Sequence, residues 1–185
     1  MRYLINPNDI TNFQRSQDDL EAFWLFCIVV AGKNSQVQAQ KLAKFLEPAH
    51  EAGLSPLEYI EHVSDLETLL REVKMGQYNR LTQAFKESAY MDVSAANLLR
   101  LESIFGVGPK TSRFFILHSR PNQRFAVLDT HILRWLRQQG IDAPKVTPTG
   151  TRYLKLEQQF LDYCDACNMS PAELDLHIWK EGAKA

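Results

Sequence analysis

Sulfur is scarce in this sequence. Its 185 residues include three cysteines, Cys27, Cys164 and Cys167. Cys164 and Cys167 form a lone CxxC with no third and fourth donor nearby, so a zinc or iron–sulfur centre would be short of ligands. Helix packing is the role expected of that pair. An odd number of thiols, behind a start (MRYLINPNDITNFQRSQ) with no apolar signal core, leads us to expect reduced cysteines in a cytoplasmic protein. Long apolar runs are lacking too. The longest, Ala22 to Gly32, is about half of what a bilayer requires, so no membrane span is expected. Charge of one sign is also missing, since 21 Lys and Arg face 22 Asp and Glu. That balance excludes a uniformly basic coat and leaves room for one local basic face.

What is present reads as an ordinary globular chain, 45% hydrophobic and 23% charged, long enough to bury a core without staples. Strand signals are almost absent and helical ones dominate. Ser16 followed by Asp18 and Asp19 marks a helix start. The helix behind it, QDDLEAFWLFCIVVAG, is apolar nearly all round and should be central and buried. The stretch 32–35, Gly-Lys-Asn-Ser, breaks it, and a second helix over 35–46 ends at Glu47-Pro48. Further helices are expected over 55–62, 64–74, 78–90 and 94–104, then from Pro109, from Asp129 to about Gln139, and near 150–167 and 170–181. The class is all-α, about ten helices on short loops.

One turn carries more than structure. LLRLESIFGVGPKTSRFFILHS reads as helix, Gly-x-Gly turn, helix. Gly106 and Gly108 let the backbone bend sharply and present N–H groups unobstructed by a Cβ. With the following helix N-terminus they can form a nest for a phosphate oxygen, to which Lys110 and Thr111 add donors. A plain αα-hairpin would use the same glycines. From Lys110 to Arg137 six Lys or Arg stand against one acid, Asp129, a local charge of +5 that suits a polyanion-binding face; scattered solvated helix positions would look the same.

FGVGPKTSRFFIL followed by FAVLDTHILRWL resembles the hairpin and aspartate region of the helix-hairpin-helix, Gly/Pro-rich, Asp (HhH-GPD) superfamily of DNA glycosylases, which includes endonuclease III and the 8-oxoguanine DNA glycosylases. Lys110 and Asp129 stand 19 residues apart, a spacing usual for that pair. The similarity extends back through KMGQYNRL (74–81) to FWLFCIVVAGKNSQVQAQKL, and forward to ELDLHIWKEG (173–182). The resemblance implies a base-excision-repair enzyme acting on damaged duplex DNA, a glycosylase with AP-lyase activity. Lys110 would be the nucleophile that forms a Schiff base. It must be neutral to attack, which neighbouring cations favour. Asp129 would stabilise the positive charge that grows on the sugar, a role compatible with capping the helix behind it.

Because the target base must leave the duplex, relatives insert a polar wedge. Lys33 and Asn34 occupy the corresponding loop, although a simple interhelix turn would fit them equally. Phe114, four residues after Lys110, is a candidate for stacking on the base, with core packing the better expectation; Trp24 and Trp179 are similar cases. The ending ELDLHIW resembles compact archaeal-type 8-oxoguanine glycosylases, which favours oxidised guanine. The four-cysteine loop of endonuclease III is missing, so no iron–sulfur cluster and no organic cofactor are expected. The resemblance allows a monovalent cation at the hairpin carbonyls. It also implies two helical lobes about a central cleft. Residues 35–127, with the hairpin at 98–119, would form one lobe, and 1–34 with 128–185 the other, in a monomer. The alternatives are a monofunctional glycosylase, one acting on oxidised pyrimidines or mismatches, or a non-catalytic helix-hairpin-helix DNA-binding module.

Overall fold

The computed structural model describes residues 1–182 and is helical, with no strand among them. Eleven helices follow in order: α1 (Gln17–Val29), α2 (Ser35–Phe45), α3 (Glu47–Ala52), α4 (Pro56–His62), α5 (Leu66–Glu72), α6 (Tyr78–Ser88), α7 (Leu98–Glu102), α8 (Pro109–Ser119), α9 (Thr130–Gln138), α10 (Gly150–Cys167) and α11 (Pro171–Gly182). Among the described residues no helix is long and apolar enough to cross a membrane.

Local chemistry sets most boundaries. Ser16 accepts the Asp19 N–H at the head of α1, and Ser55 with Glu58 forms a reciprocal capping box on α4. Two expectations change. α2 ends before Pro48 as expected, but Pro48 then belongs to a short helix of its own. It lies in the first turn of α3, where its missing N–H costs nothing, and Gly53 in left-handed conformation ends that helix. The helix expected over 94–104 shrinks to α7, because Asp92 takes the N–H groups of Ser94 and Ala95 into a turn and Asn97 then caps a later start.

Packing divides the chain into two compact units, residues Met1–Ile10 with Gln14–Phe115, and Thr11–Phe13 with the chain from Ile116 on. The expected grouping of 1–34 with 128–185 is therefore not the one observed. The reason lies in α1. Every residue from Glu21 to Val29 is buried, so the helix needs partners on all sides. It finds them in α2, α4 and α6, all within the first unit. Glu21, the one acid on that buried stretch, accepts the N–H of Leu57 in the first turn of α4 and the amide of Gln17.

The second unit packs α9, α10 and α11 around Leu128, Ile132, Leu136, Tyr153, Phe160 and Ile178. His118 at the end of α8 is fully buried; its ring contacts Asp175 of α11 through Nε2 (3.1 Å) and Thr11 through Nδ1 (2.8 Å). The His118 carbonyl accepts the Asn12 N–H, which ties the short segment 11–13 to this unit.

Candidate active site

The hairpin begins where α7 runs out. Ile104 donates back to Leu101, and Val107 donates to Ile104 (3.0 Å), which closes a tight turn. Gly106 is its left-handed residue, at φ +71°. A Cβ there would meet the Arg80 side chain at 2.7 Å, so conformation and space both require glycine. Gly108 has no positive φ and nothing within 4 Å of where its Cβ would be. Its carbonyl accepts the N–H groups of Thr111 and Ser112, opening α8. Glu87 of α6 takes the Phe105 N–H at 2.7 Å. Among the described residues that leaves the N–H groups of Gly106, Gly108 and Lys110 without an acceptor at a helix start, the composition of an anion nest. Thr111, expected to add a donor, is buried and its N–H serves α8 itself.

Lys110 occupies the first turn of α8 and is half-buried. Among the described residues no carboxylate or carbonyl takes a hydrogen bond from its ammonium group. Its own helix is held elsewhere. Glu102 of α7 accepts Ser112 Oγ at 2.7 Å and Arg113 Nη1 at 3.1 Å, and the Arg113 side chain is only 8% exposed. This clamp joins the two arms of the hairpin just behind the lysine and leaves the lysine itself unengaged. The expected spacing of motif residues gave no hint of Glu102. Its signal was an acid ten and eleven residues ahead of a Ser-Arg pair.

Asp129 is the N-cap of α9. Its Oδ1 accepts the N–H groups of His131 (2.8 Å) and Ile132 (2.9 Å), while among the described residues Oδ2 has no hydrogen-bond partner. Capping and a chemically available oxygen thus coexist in one side chain. The segment leading into it, Ala126–Leu128, is buried yet belongs to no helix, so its backbone must find side-chain partners. Two come from α10: Glu157 accepts the Ala126 N–H (2.9 Å), and Tyr153 Oη donates to the Ala126 carbonyl (2.7 Å) and lies 3.4 Å from the Leu128 N–H. Thr147 donates to the Leu128 carbonyl at 2.7 Å. These three side chains set where Asp129 is held. Sequence reasoning missed them; a Tyr and a Glu four apart on the apolar face of α10 were the available clue.

The remaining candidates are distributed differently. Trp24 is fully buried in the first unit and donates to Ser88 Oγ at 2.9 Å, so it is core and cannot stack on a base. Phe114 is half-buried with its ring 5.9 Å from Phe23. Asn34 caps α2 by accepting the Val37 N–H, and Lys33 donates to the Met75 carbonyl at 2.7 Å. Trp179 is half-buried, edge-on to His131 at 6.5 Å. Burial pushes the Cys27 thiol well up, and burial with the neighbouring Cys167 pushes Cys164 up to about 12. Two such thiols are poor metal ligands. Among the described residues no group of three or more His, Cys, Asp or Glu could hold a metal ion. At the hairpin, the Ile104 carbonyl is taken by Val107 and the Gly106 carbonyl by Arg80.

Comparison with known proteins places this geometry. Residues 7–169 match the family model Ogg-HhH, described as 8-oxoguanine DNA glycosylase. An 8-oxoguanine DNA glycosylase/AP lyase of Fusobacterium nucleatum is 32% identical over 84 residues, which is 45% of this chain and 39% of that protein. One from Thermoplasma volcanium is 33% identical over 81 residues, 44% of this chain and 38% of that protein. The matched stretches thus span about two-fifths of those relatives' length. Among solved structures, the Methanocaldococcus jannaschii 8-oxoguanine glycosylase/lyase in complex with a 15mer DNA containing 8-oxoguanine superposes with a TM-score of 0.69 at 22% identity, over 93% of this chain and 84% of that one. The Thermotoga maritima 8-oxoguanine DNA glycosylase gives 0.65 at 22% identity, over 92% and 84%. The all-α helix-hairpin-helix glycosylase fold expected from the sequence is the fold found.

Proposed function

The chain belongs to the 8-oxoguanine DNA glycosylase family, and from that premise we propose that it removes a damaged base, oxidised guanine first among candidates, from duplex DNA and then cleaves the strand as an AP lyase. The observation that carries the reading is Lys110, a lysine in the first turn of α8 whose ammonium has no hydrogen-bond partner among the described residues, and whose backbone N–H joins those of Gly106 and Gly108 in the nest. A DNA-binding module would need the nest but not the lysine, and a glycosylase that releases the base with water would not need the lysine either.

The Lys110 amine, in its neutral form, attacks C1′ with its lone pair. The bond from C1′ to the base breaks, its electron pair leaves with the base, and the base takes up a proton. The sugar ring then opens to a protonated imine on Lys110. Loss of a C2′ proton expels the 3′ phosphate in β-elimination. In this reading Asp129 offers its carboxylate to the positive charge that grows on the sugar, while its Oδ1 caps α9. The hairpin nest holds a phosphate, a contact that positions without reading sequence. The scheme calls on no organic cofactor. The base enters its site flipped from the stack. A monovalent cation at the hairpin carbonyls would share its surroundings with Arg80. The enzyme is read as a monomer acting in the cytoplasm, on the nucleoid in a prokaryote.

Borohydride trapping tests the central step. Wild type should form a covalent adduct with duplex carrying 8-oxoguanine or an abasic site, and Lys110→Gln should form none while still binding the duplex. An adduct that persists in Lys110→Gln would remove the lysine from the mechanism. Duplexes with single lesions, assayed side by side, then rank the substrate base; no release of 8-oxoguanine alongside release of an oxidised pyrimidine would reassign it.

A further inference from the structure

A second concentration of positive charge lies in the first unit, around the turn ahead of α6, and the chemistry above makes no use of it. Lys74, Gly76 and Gln77 all have positive φ there. Lys41 of α2 donates to the Lys74 carbonyl at 2.6 Å, and Lys33 donates to the Met75 carbonyl at 2.7 Å. Two ammonium groups on successive carbonyls are close neighbours. Lys33 lies directly against Gly76, where an added Cβ would crowd its Nζ. Arg80, in the first turn of α6, donates to the Ile28 carbonyl at 2.9 Å and through Nη1 to the Gly106 carbonyl at 3.3 Å. One guanidinium therefore connects this turn with the hairpin.

None of the three is neutralised. Among the described residues no carboxylate forms an ion pair with Lys33, Lys41 or Arg80, whereas nearby Arg71 is paired with Glu67 at 2.6 Å. Carbonyl partners orient a cation and supply no counter-charge. Each ammonium has three N–H donors and uses one. Burial, and after it the charges of Lys41 and Arg80, pull the Lys33 amine below its ordinary value, so the neighbouring cations are felt at this group. Holding like charges at one place is unfavourable for the free protein and becomes favourable once an anion binds among them. Half-exposed side chains along a surface suit an extended polyanion better than a small enclosed ligand.

We propose that Lys33, Lys41 and Arg80 form a second phosphate-binding site, joined to the hairpin nest through Arg80 and Gly106, which holds another backbone phosphate of the duplex. The assignment rests on reading the chain as a DNA-processing enzyme. It gives Lys33, expected in a wedge, a backbone contact instead.

The test is equilibrium binding of undamaged duplex as a function of salt, which needs no catalysis. The slope of log K against log salt should fall by about one unit in the double variant Lys33→Gln/Lys41→Gln, and Lys41→Arg should retain the wild-type slope. Lys86→Gln, an exposed lysine further along α6, should change it less. An unchanged slope in a folded double variant overturns the site and leaves the glycosylase reading intact. A wild type that binds no duplex overturns both. Should the double variant misfold, Lys41→Gln alone carries the same measurement, and a slope equal to wild type again rejects the site.

Discussion

Asp129 caps α9 through Oδ1, and substitution can separate that cap from its proposed catalytic role. In Asp129→Asn the amide oxygen can still accept from the His131 and Ile132 N–H groups, so thermal stability should remain near wild type. Base release in single turnover should drop by roughly 10²–10³-fold, because an amide cannot offset positive charge on the sugar. Asp129→Ala should lose the activity and in addition about 1 kcal/mol of stability with the cap. An Asn variant with wild-type base release would reduce Asp129 to a cap. The cysteines separate by burial in the same way. Cys167 is exposed while Cys27 and Cys164 are buried, so a thiol reagent should modify one site per native chain and three after denaturation. Cys164 also makes stability depend on pH. Its folded pKa of about 12 lies above the ordinary 9.0, so the unfolded chain loses this proton first as pH rises. The stability it contributes is therefore complete below pH 9 and lost progressively between about 9 and 12. Urea midpoints at pH 8 and 10.5 should fall further in wild type than in Cys164→Ala; equal falls would refute the linkage.

At the scale of elements, the hairpin shows why two glycines in one motif are not equivalent. Gly106 is required by its φ of +71° and by the Arg80 side chain against it. Gly106→Ala should cost about 1–3 kcal/mol of stability. Gly108 has ordinary φ and open surroundings, so Gly108→Ala should fold normally. A methyl group placed among the free N–H groups should instead weaken damaged and undamaged duplexes by similar factors. A Gly108→Ala protein with wild-type affinity and salt slope would make the hairpin a structural turn only. Sequence pattern suffices to find this element because a Gly-x-Gly turn between amphipathic helices is local. The difference between the glycines is not local, since it depends on Arg80, 26 residues away.

At the scale of the whole molecule, the second unit depends on a polar network that no periodicity reveals. His118 is fully buried between Thr11 and Asp175, residues 107 and 57 positions away in sequence. His118→Ala should cost roughly 1–3 kcal/mol, since it deprives buried polar groups of a hydrogen-bond partner, and should lower the melting temperature; Thr11→Val should cost less. An unchanged melting temperature in His118→Ala would show the network to be incidental.

The same contrast runs through the chain. Helical class, most helix starts and the hairpin were legible in sequence, because caps, glycine turns and apolar periodicity act over four residues or fewer. Tertiary structure alone decided that α1 packs with α2, α4 and α6, that Ser88 takes the Trp24 indole N–H, and that Glu102 clamps Ser112 and Arg113. It also decided that Tyr153, Glu157 and Thr147 hold the backbone leading to Asp129. Those facts require distant segments to be brought together, and a buried backbone outside any helix takes whichever polar side chain the packing delivers to it.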